Sequence, residues 1–316
     1  MSQYKTAEDA WREVASHVDA DAEMQKLKTE NVRTVTIYDE EYPELLKQTY
    51  QPPQILYYKG TLPAFDWSIA IVGTRKPTEY GKTACHEFAE ALARAGAVIV
   101  SGLAYGIDGE AHKSTLAAGG TAVAVIGSGL DHPSFYPPAN WALAEKIIGN
   151  KGAVISEYPP GTRAFQSHFP ERNRIIAGLS HGVLLAEAKD RSGTQITARL
   201  AMEENRDVFA VPGSIFSETS KGPNRLIKDG AIPALSPKDI LEFYGKEEVA
   251  PSRPAEVMSE LEQEVLLLLR EPALFDDLKA KSGQAVAELQ ATLSLLELKG
   301  KIRELEPGRY QATSLD

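Results

Sequence analysis

Glycines and charged side chains gather where short apolar runs of this chain end. The run Ile69–Val72 passes into Gly73-Thr74-Arg75-Lys76-Pro77, and Ala97–Val100 passes into Ser101-Gly102-Leu103-Ala104-Tyr105-Gly106-Ile107-Asp108. Glycine at a strand exit lets backbone approach a ligand closely, and the next helix offers unpaired N–H groups to an anion. Either loop alone serves the needs of any doubly wound sheet. The two together, with Arg75, Ser101 and Gly102 at the mouth, point to a phosphate pocket. A third segment, Phe169–Ser180, carries Arg172, Asn173 and Arg174, which are expected to open a helix. Two arginines at a helix start oppose the macrodipole, and a bound anion would offset that conflict; a plain surface pair is the alternative. A fourth segment places Ser192-Gly193-Thr194 at another helix start, where hydroxyls and amides suit a phosphate, although capping alone would also explain them. Val211-Pro212-Gly213 then ends one more strand ahead of Lys221-Gly222-Pro223-Asn224-Arg225.

Catalytic chemistry fits less well. Gly81-Lys82-Thr83 has the tail of an ATP-binding P-loop, but Lys76 stands where the motif requires glycine. His112, His132, His168 and His181 show no metal-ligand spacing, so neither a metal nor a cofactor is expected. Asp108, Glu157 and Glu187 sit at strand ends, where acid–base groups could act; carboxylates there also tie loops or cap helices. The chain therefore reads as a non-enzyme.

The elements that must position these groups follow from hydrophobic pattern. Between residues 67 and 245, short β-branched runs (Ile69–Val72, Ala97–Val100, Thr121–Ile126, Ala153–Ile155, Gly182–Ala186 and Asp207–Val211) alternate with amphipathic stretches at 80–95, 106–118 and 193–204. Fully apolar strands separated by helices imply a mainly parallel sheet covered on both faces. This is an α/β, extended Rossmann-like, doubly wound sheet, which binds ligands beyond its carboxyl edge. Residues 1–60 read as a small leading module, 61–245 as the Rossmann-like domain, and 246–256 as a polar, Pro-bearing linker. Residues 257–316 show three helical segments (259–269, 275–281 and 284–299). A β-pair, Lys301–Leu305 with Arg309–Gln311, turns at Pro307-Gly308, completing a winged-helix pattern.

Composition narrows the class. The chain has 316 residues, 43% hydrophobic and 25% charged, so one large domain with small attachments is expected. No run of 18 uncharged apolar residues exists, so no membrane-spanning helix is expected. The start MSQYKTAEDAW lacks a signal-peptide pattern, and the single cysteine, Cys85, suits a reducing, cytoplasmic setting. The net charge of −10 means that any nucleic-acid site is a local positive groove on an acidic body.

In order and spacing, the segments VGTR, SGLAYGID, EYPPG, FPERNRIIAGLS, SGTQITA, VPG and GPNRLIKDGA closely resemble the DprA/Smf family. The resemblance is dense over residues 30–235. It implies an extended Rossmann domain that binds and protects single-stranded DNA, dimerises, and loads the RecA recombinase during natural transformation. It also implies a DNA pocket that includes Arg75, Arg172, Arg174, Gly193 and Thr194, with Lys221 and Asn224 in the final motif. Phe165, Phe169 and Tyr105 are candidate stacking surfaces, with core packing as the alternative. The segment around Ile227, Ile232 and Leu235 is a candidate dimer surface, or else core. A nucleotide-binding or nucleotide-hydrolysing Rossmann enzyme of the lysine-decarboxylase-like type is the competing reading. Such enzymes carry a PGGxGT loop where this chain has Ser192-Gly193-Thr194.

Two features depart from the family. Only a fragment of the leading helical domain of many members fits in residues 1–30, which reads as a shortened SAM-like remnant. Residues 257–316 hold 11 Asp/Glu against 7 Lys/Arg, and Gln284–Leu298 contains neither Lys nor Arg. Duplex reading needs cations, so a protein-contact role is the favoured expectation for this module.

Overall fold

In the computed structural model, residues 19–190, 193–249, 259–269, 271–298 and 301–312 are described. Ser192 falls outside them, as does most of the expected linker. The chain divides into two compact units between Pro251 and Ser252.

The larger unit opens with α1 (Ala20–Thr29), β1 (Arg33–Thr36), α2 (Glu44–Lys47) and β2 (Ile55–Gly60). Strand–helix alternation follows: β3 (Ser68–Val72), α3 (Glu79–Arg94), β4 (Val98–Ser101), α4 (Ile107–Ala117) and β5 (Ala122–Ile126). Next come α5 (Trp141–Gly149), β6 (Ala153–Ser156), α6 (His168–Gly178), β7 (Gly182–Leu185) and α7 (Gly193–Glu203). The unit ends with β8 (Asp207–Ala210), α8 (Lys221–Lys228), β9 (Ile232–Pro233) and α9 (Pro237–Phe243). These strands form one nine-stranded sheet in the order β1-β2-β6-β5-β4-β3-β7-β8-β9. The seven strands from β6 to β9 run parallel.

Alternation along each strand explains why helices cover both faces. On β3, Ala70 and Val72 face one way with Val100, Val183 and Leu185, against Ile175 and Ile176 of α6 and Leu179 just past its end. Ile69 and Ile71 face the other way, against Cys85, Phe88 and Leu92 of α3. Every residue of β3 is buried, and each large side chain removed from water contributes about 1.5–3 kcal/mol. A helix-period sequence could not bury both of its sides at this spacing.

The leading strands are built into the sheet rather than packed beside it. β2 pairs antiparallel with β6, and β1 with β2. Val35, Tyr42, Leu46 and Leu56 belong to the same core as β3 and α6. The pairing covers the β6 edge, which would otherwise present unpaired backbone groups.

The smaller unit contains α10 (Glu260–Leu268), β10 (Ala273–Leu274), α11 (Phe275–Ser282), α12 (Val286–Leu298), β11 (Ile302–Glu306) and β12 (Arg309–Ala312). Its strands order as β10-β12-β11, and Val265, Leu269, Leu278, Leu289, Leu293 and Leu296 form its core. A Ser259–Glu262 capping box starts α10, and Gly283 at φ +65° ends α11. The expected winged helix is present. Among the described residues, no helix is long and apolar enough to cross a membrane, and no cluster of His, Cys, Asp or Glu is arranged to hold a metal ion.

Candidate nucleic-acid interface

The chain order along the sheet reverses at β3. β4, β5 and β6 follow on one side of it, and β7, β8 and β9 on the other. Loops leaving β3 and β7 therefore diverge and leave a crevice at the carboxyl edge. A cavity of about 340 Å³ occupies it, lined by Gly73–Arg75, Ala104, Asp108, Phe169–Pro170, Arg172–Asn173 and Gly193–Thr194, among others.

Its walls are held by backbone. The Thr74 amide donates to the Glu187 carbonyl at 2.7 Å, and the Ile107 amide to the Thr74 carbonyl at 3.2 Å. The Thr194 hydroxyl donates to the Gly73 carbonyl at 3.2 Å, joining the β3 exit to the start of α7. Gly106, at φ +78°, allows the β4 exit to pass over the Arg75 loop. A Cβ there would lie 2.3 Å from the Thr74 carbonyl oxygen. Gly106→Ala is accordingly expected to cost about 1–3 kcal/mol in backbone strain alone. Differential scanning calorimetry should show the lower stability, and DNA retention should fall with it because the Arg75 loop must shift.

Arg75 is exposed at the mouth. It makes no ion pair with any described residue, and its guanidinium lies 5.3 Å from the centroid of the Phe169 ring. That ring also packs against Tyr136, with centroids 5.7 Å apart. An exposed cation over an aromatic ring suits a phosphate with a base beside it. The N-terminus of α7 brings Gly193 and Thr194 to the same cavity, adding amide dipoles that favour an anion.

Arg172 does a different job from the one its place in the sequence suggests. α6 begins at His168, so Arg172 is the fifth residue of the helix and does not open it. It is only 6% exposed. Its Nη1 donates to the Gly102 and Val125 carbonyls at 2.5 and 2.6 Å, and its Nε to Asn173 Oδ1 at 2.9 Å. The guanidinium thus clasps the ends of β4 and β5 and lines the cavity floor. Asp108, also 6% exposed, lies in the same cavity. Burial pushes its carboxyl above the ordinary carboxylate range, while Arg172, the Ala104 and Gly102 amides and Arg75 pull the other way.

Arg174 is not in this cavity. Its Nη2 bridges both Glu157 carboxylate oxygens at 2.5 and 2.6 Å, and its Nη1 donates to the Gln51 carbonyl at 2.5 Å. Residues two apart on a helix point in nearly opposite directions, so Arg172 and Arg174 cannot share one groove. Ser101 is fully buried and spends its hydroxyl on the Ile71 carbonyl at 2.6 Å. Gly102 is required by closeness, because any Cβ there would meet Arg172 Nη1 at 1.9 Å. Lys221 pairs with Glu218. Asn224 holds the Gly213 amide and carbonyl at 3.2 and 2.9 Å. Both line a separate depression with Arg225 and Lys228. Arg75, Arg172, Asn173, Gly193 and Thr194 therefore converge on one cavity; Ser101 and Gly102 support it; Arg174, Lys221 and Asn224 stand apart.

The strand-end acids are tied. Glu187 accepts from the Thr78 amide and hydroxyl, each at 2.8 Å, and from the Thr219 hydroxyl at 2.7 Å. Glu157 is paired with Arg174. Burial holds the His112 imidazole neutral, with its pKa pushed down to about 3. Tyr136 is a pocket neighbour that pattern reading missed. Nothing local to it signals the contact, which the Phe169 ring makes from 33 residues further along the chain.

The family described as DNA recombination-mediator protein A matches residues 33–245, and the DprA winged helix domain matches residues 249–308. DNA processing protein DprA of Bacillus subtilis (strain 168) is 42% identical over 229 residues, 72% of this chain and 76% of its own length. The crystallographic structure of DNA processing protein A from Streptococcus pneumoniae is similar with a TM-score of 0.68 and 43% identity, covering 76% of this chain and 83% of that one. The Helicobacter pylori DNA processing protein A, whose structure concerns its single-stranded DNA binding mode, gives a TM-score of 0.60 at 30% identity, covering 67% and 95%.

Proposed function

The chain belongs to the DNA recombination-mediator protein A family, and from that premise we propose that it is a non-enzymatic mediator that binds and protects single-stranded DNA and loads RecA onto it during natural transformation. The observation that carries this reading is Arg75, unpaired among the described residues, lying over the Phe169 ring at the mouth of the switch-point cavity. A strand is held there by its phosphate on Arg75 and the α7 amides, with a base against the aromatic wall. Arg172 adds charge from the floor while keeping that floor assembled. Glu157 and Glu187 are engaged by Arg174, Thr78 and Thr219, which argues against acid–base work and against the nucleotide-hydrolase alternative.

Dimerisation is part of the same reading. Leu235, 78% exposed, lies just past the edge strand β9, with half-buried Ile227 and Ile232 alongside in sequence. A second copy would cover that edge.

The deciding experiment is RecA-driven strand exchange on DNA precoated with single-strand-binding protein. Stimulation by this chain, with no nucleotide turnover of its own, is the expected result. Absence of stimulation, or turnover by the chain, overturns the proposal. Removing residues 257–316 is expected to change single-strand affinity by no more than about twofold, since α12 offers no cation to phosphate. A titration showing a loss of about tenfold would assign DNA contact to the winged helix instead.

A further inference from the structure

The loop between β6 and α6 carries an aromatic stack outside the cavity just described. The Tyr158 and His168 rings are stacked, with centroids 4.0 Å apart and planes 16° from parallel. Phe165 stands edge-on to His168 at 5.3 Å and 75°. Each supporting ring is fixed by its polar atom: Tyr158 hydroxyl on Glu171, His168 Nδ1 on the Gly127 carbonyl at 3.1 Å. Phe165 itself is 60% exposed.

The base of the loop is pinned. The Gly129 amide donates to the Thr162 carbonyl at 2.7 Å, and the Gly161 amide to the Asp131 carboxylate at 2.5 Å. Between pin and helix lies Arg163, exposed and without an ion pair to any described residue. The next residue after His168 is Phe169, which forms the cavity wall under Arg75. One short segment therefore turns successive aromatics in two directions, one into the cavity and one away along the surface. Successive helix positions differ by about 100°, which produces this divergence.

We propose that Phe165, propped by His168 with Tyr158 stacked behind that imidazole, and accompanied by Arg163, is a second stacking subsite for an unpaired nucleobase of the same strand, with Arg163 meeting its phosphate. This rests on the reading that the cavity binds single-stranded DNA. An exposed ring set edge-on to a fixed ring loses little conformational freedom on stacking, and any base presents a π-face to it. The local acids do not oppose a strand strongly: Glu157 is neutralised by Arg174, and Glu171 is engaged by Tyr158.

The test compares the full chain with Phe165→Ala, Phe165→Trp and Arg75→Ala on two fluorescent oligomers of equal length. One is oligothymidylate; the other carries abasic sites at every position except those at one end. Phe165→Ala is expected to weaken oligothymidylate binding about 5- to 10-fold and to leave the abasic oligomer unchanged. Phe165→Trp should keep the affinity, with its indole fluorescence quenched on binding. Unchanged oligothymidylate affinity in Phe165→Ala, or an equal loss on both oligomers, overturns the subsite. Failure of the unmodified chain to bind either oligomer overturns the cavity reading itself.

Discussion

Replacing Arg172 with alanine is expected to destabilise the larger unit by about 3–5 kcal/mol, the cost of breaking a buried charge arrangement from one side. Three groups lose their partner at once. The Gly102 and Val125 carbonyls are left without the donor that joins the ends of β4 and β5. Asp108 is left in a buried site without its main opposing charge. At about 2–4 °C per kcal/mol for a unit of this size, the thermal midpoint should fall by roughly 6–20 °C. Arg174→Ala is the natural contrast. Arg174 is half-buried and its partner Glu157 can be solvated once released, so a loss of about 1 kcal/mol or less is expected. Circular-dichroism melts of the two single variants separate these roles, where a joint replacement would confuse unfolding with loss of a DNA contact. Adding Asp108→Asn to Arg172→Ala should recover part of the loss, because the orphaned carboxyl is removed. A melt of Arg172→Ala at the temperature of the unmodified chain would mean that the guanidinium serves only as a ligand.

That contrast also marks where residue patterns stop being informative. The apolar runs at 69–72, 121–126 and 182–186 match observed strands to within one or two residues, because β-branched residues in short runs have few other ways to bury both faces. The glycines at 73, 102 and 106 likewise announce close approach. Helix phase is harder to read. Arg172 and Arg174 look like a pair in the sequence, but their directions depend on where α6 begins. Ser167 gives no side-chain cap to mark that point. Ser101 looks like a hydroxyl at a pocket mouth, yet a residue still within a strand points alternately in and out, and this one points in to Ile71. The joining of β1 and β2 to the sheet depends on pairing Tyr57 and Tyr58 with Ser156 and Ile155, about a hundred residues away. No local pattern encodes such a partner. Glu187 is legible as a strand-end acid, but its role in tying Thr78 to Thr219 appears only once three distant segments are folded together.

Arg75→Ala should separate binding from stability in the opposite sense to Arg172→Ala. Its side chain is exposed, makes no ion pair with a described residue and supports no carbonyl, so the melting temperature should stay within about 1–2 °C of the unmodified chain. Single-strand affinity should nevertheless fall by about 10- to 100-fold, the range expected when one charge-assisted phosphate contact and its stacking support are removed. The salt dependence should change with it. Loss of one phosphate contact lowers the slope of log affinity against log salt by about 0.7 for a single strand. Arg75→Lys keeps the charge but gives up the planar group that rests on Phe169, and should fall between the two. Lys221→Ala should scarcely matter, because that ammonium is already paired with Glu218 and lies in a different depression. If Lys221→Ala weakened binding as much as Arg75→Ala, the strand would have to run over α8 rather than through the crevice between β3 and β7. The two paths make opposite demands on these two side chains, so fluorescence-anisotropy titrations of both variants at several salt concentrations decide between them.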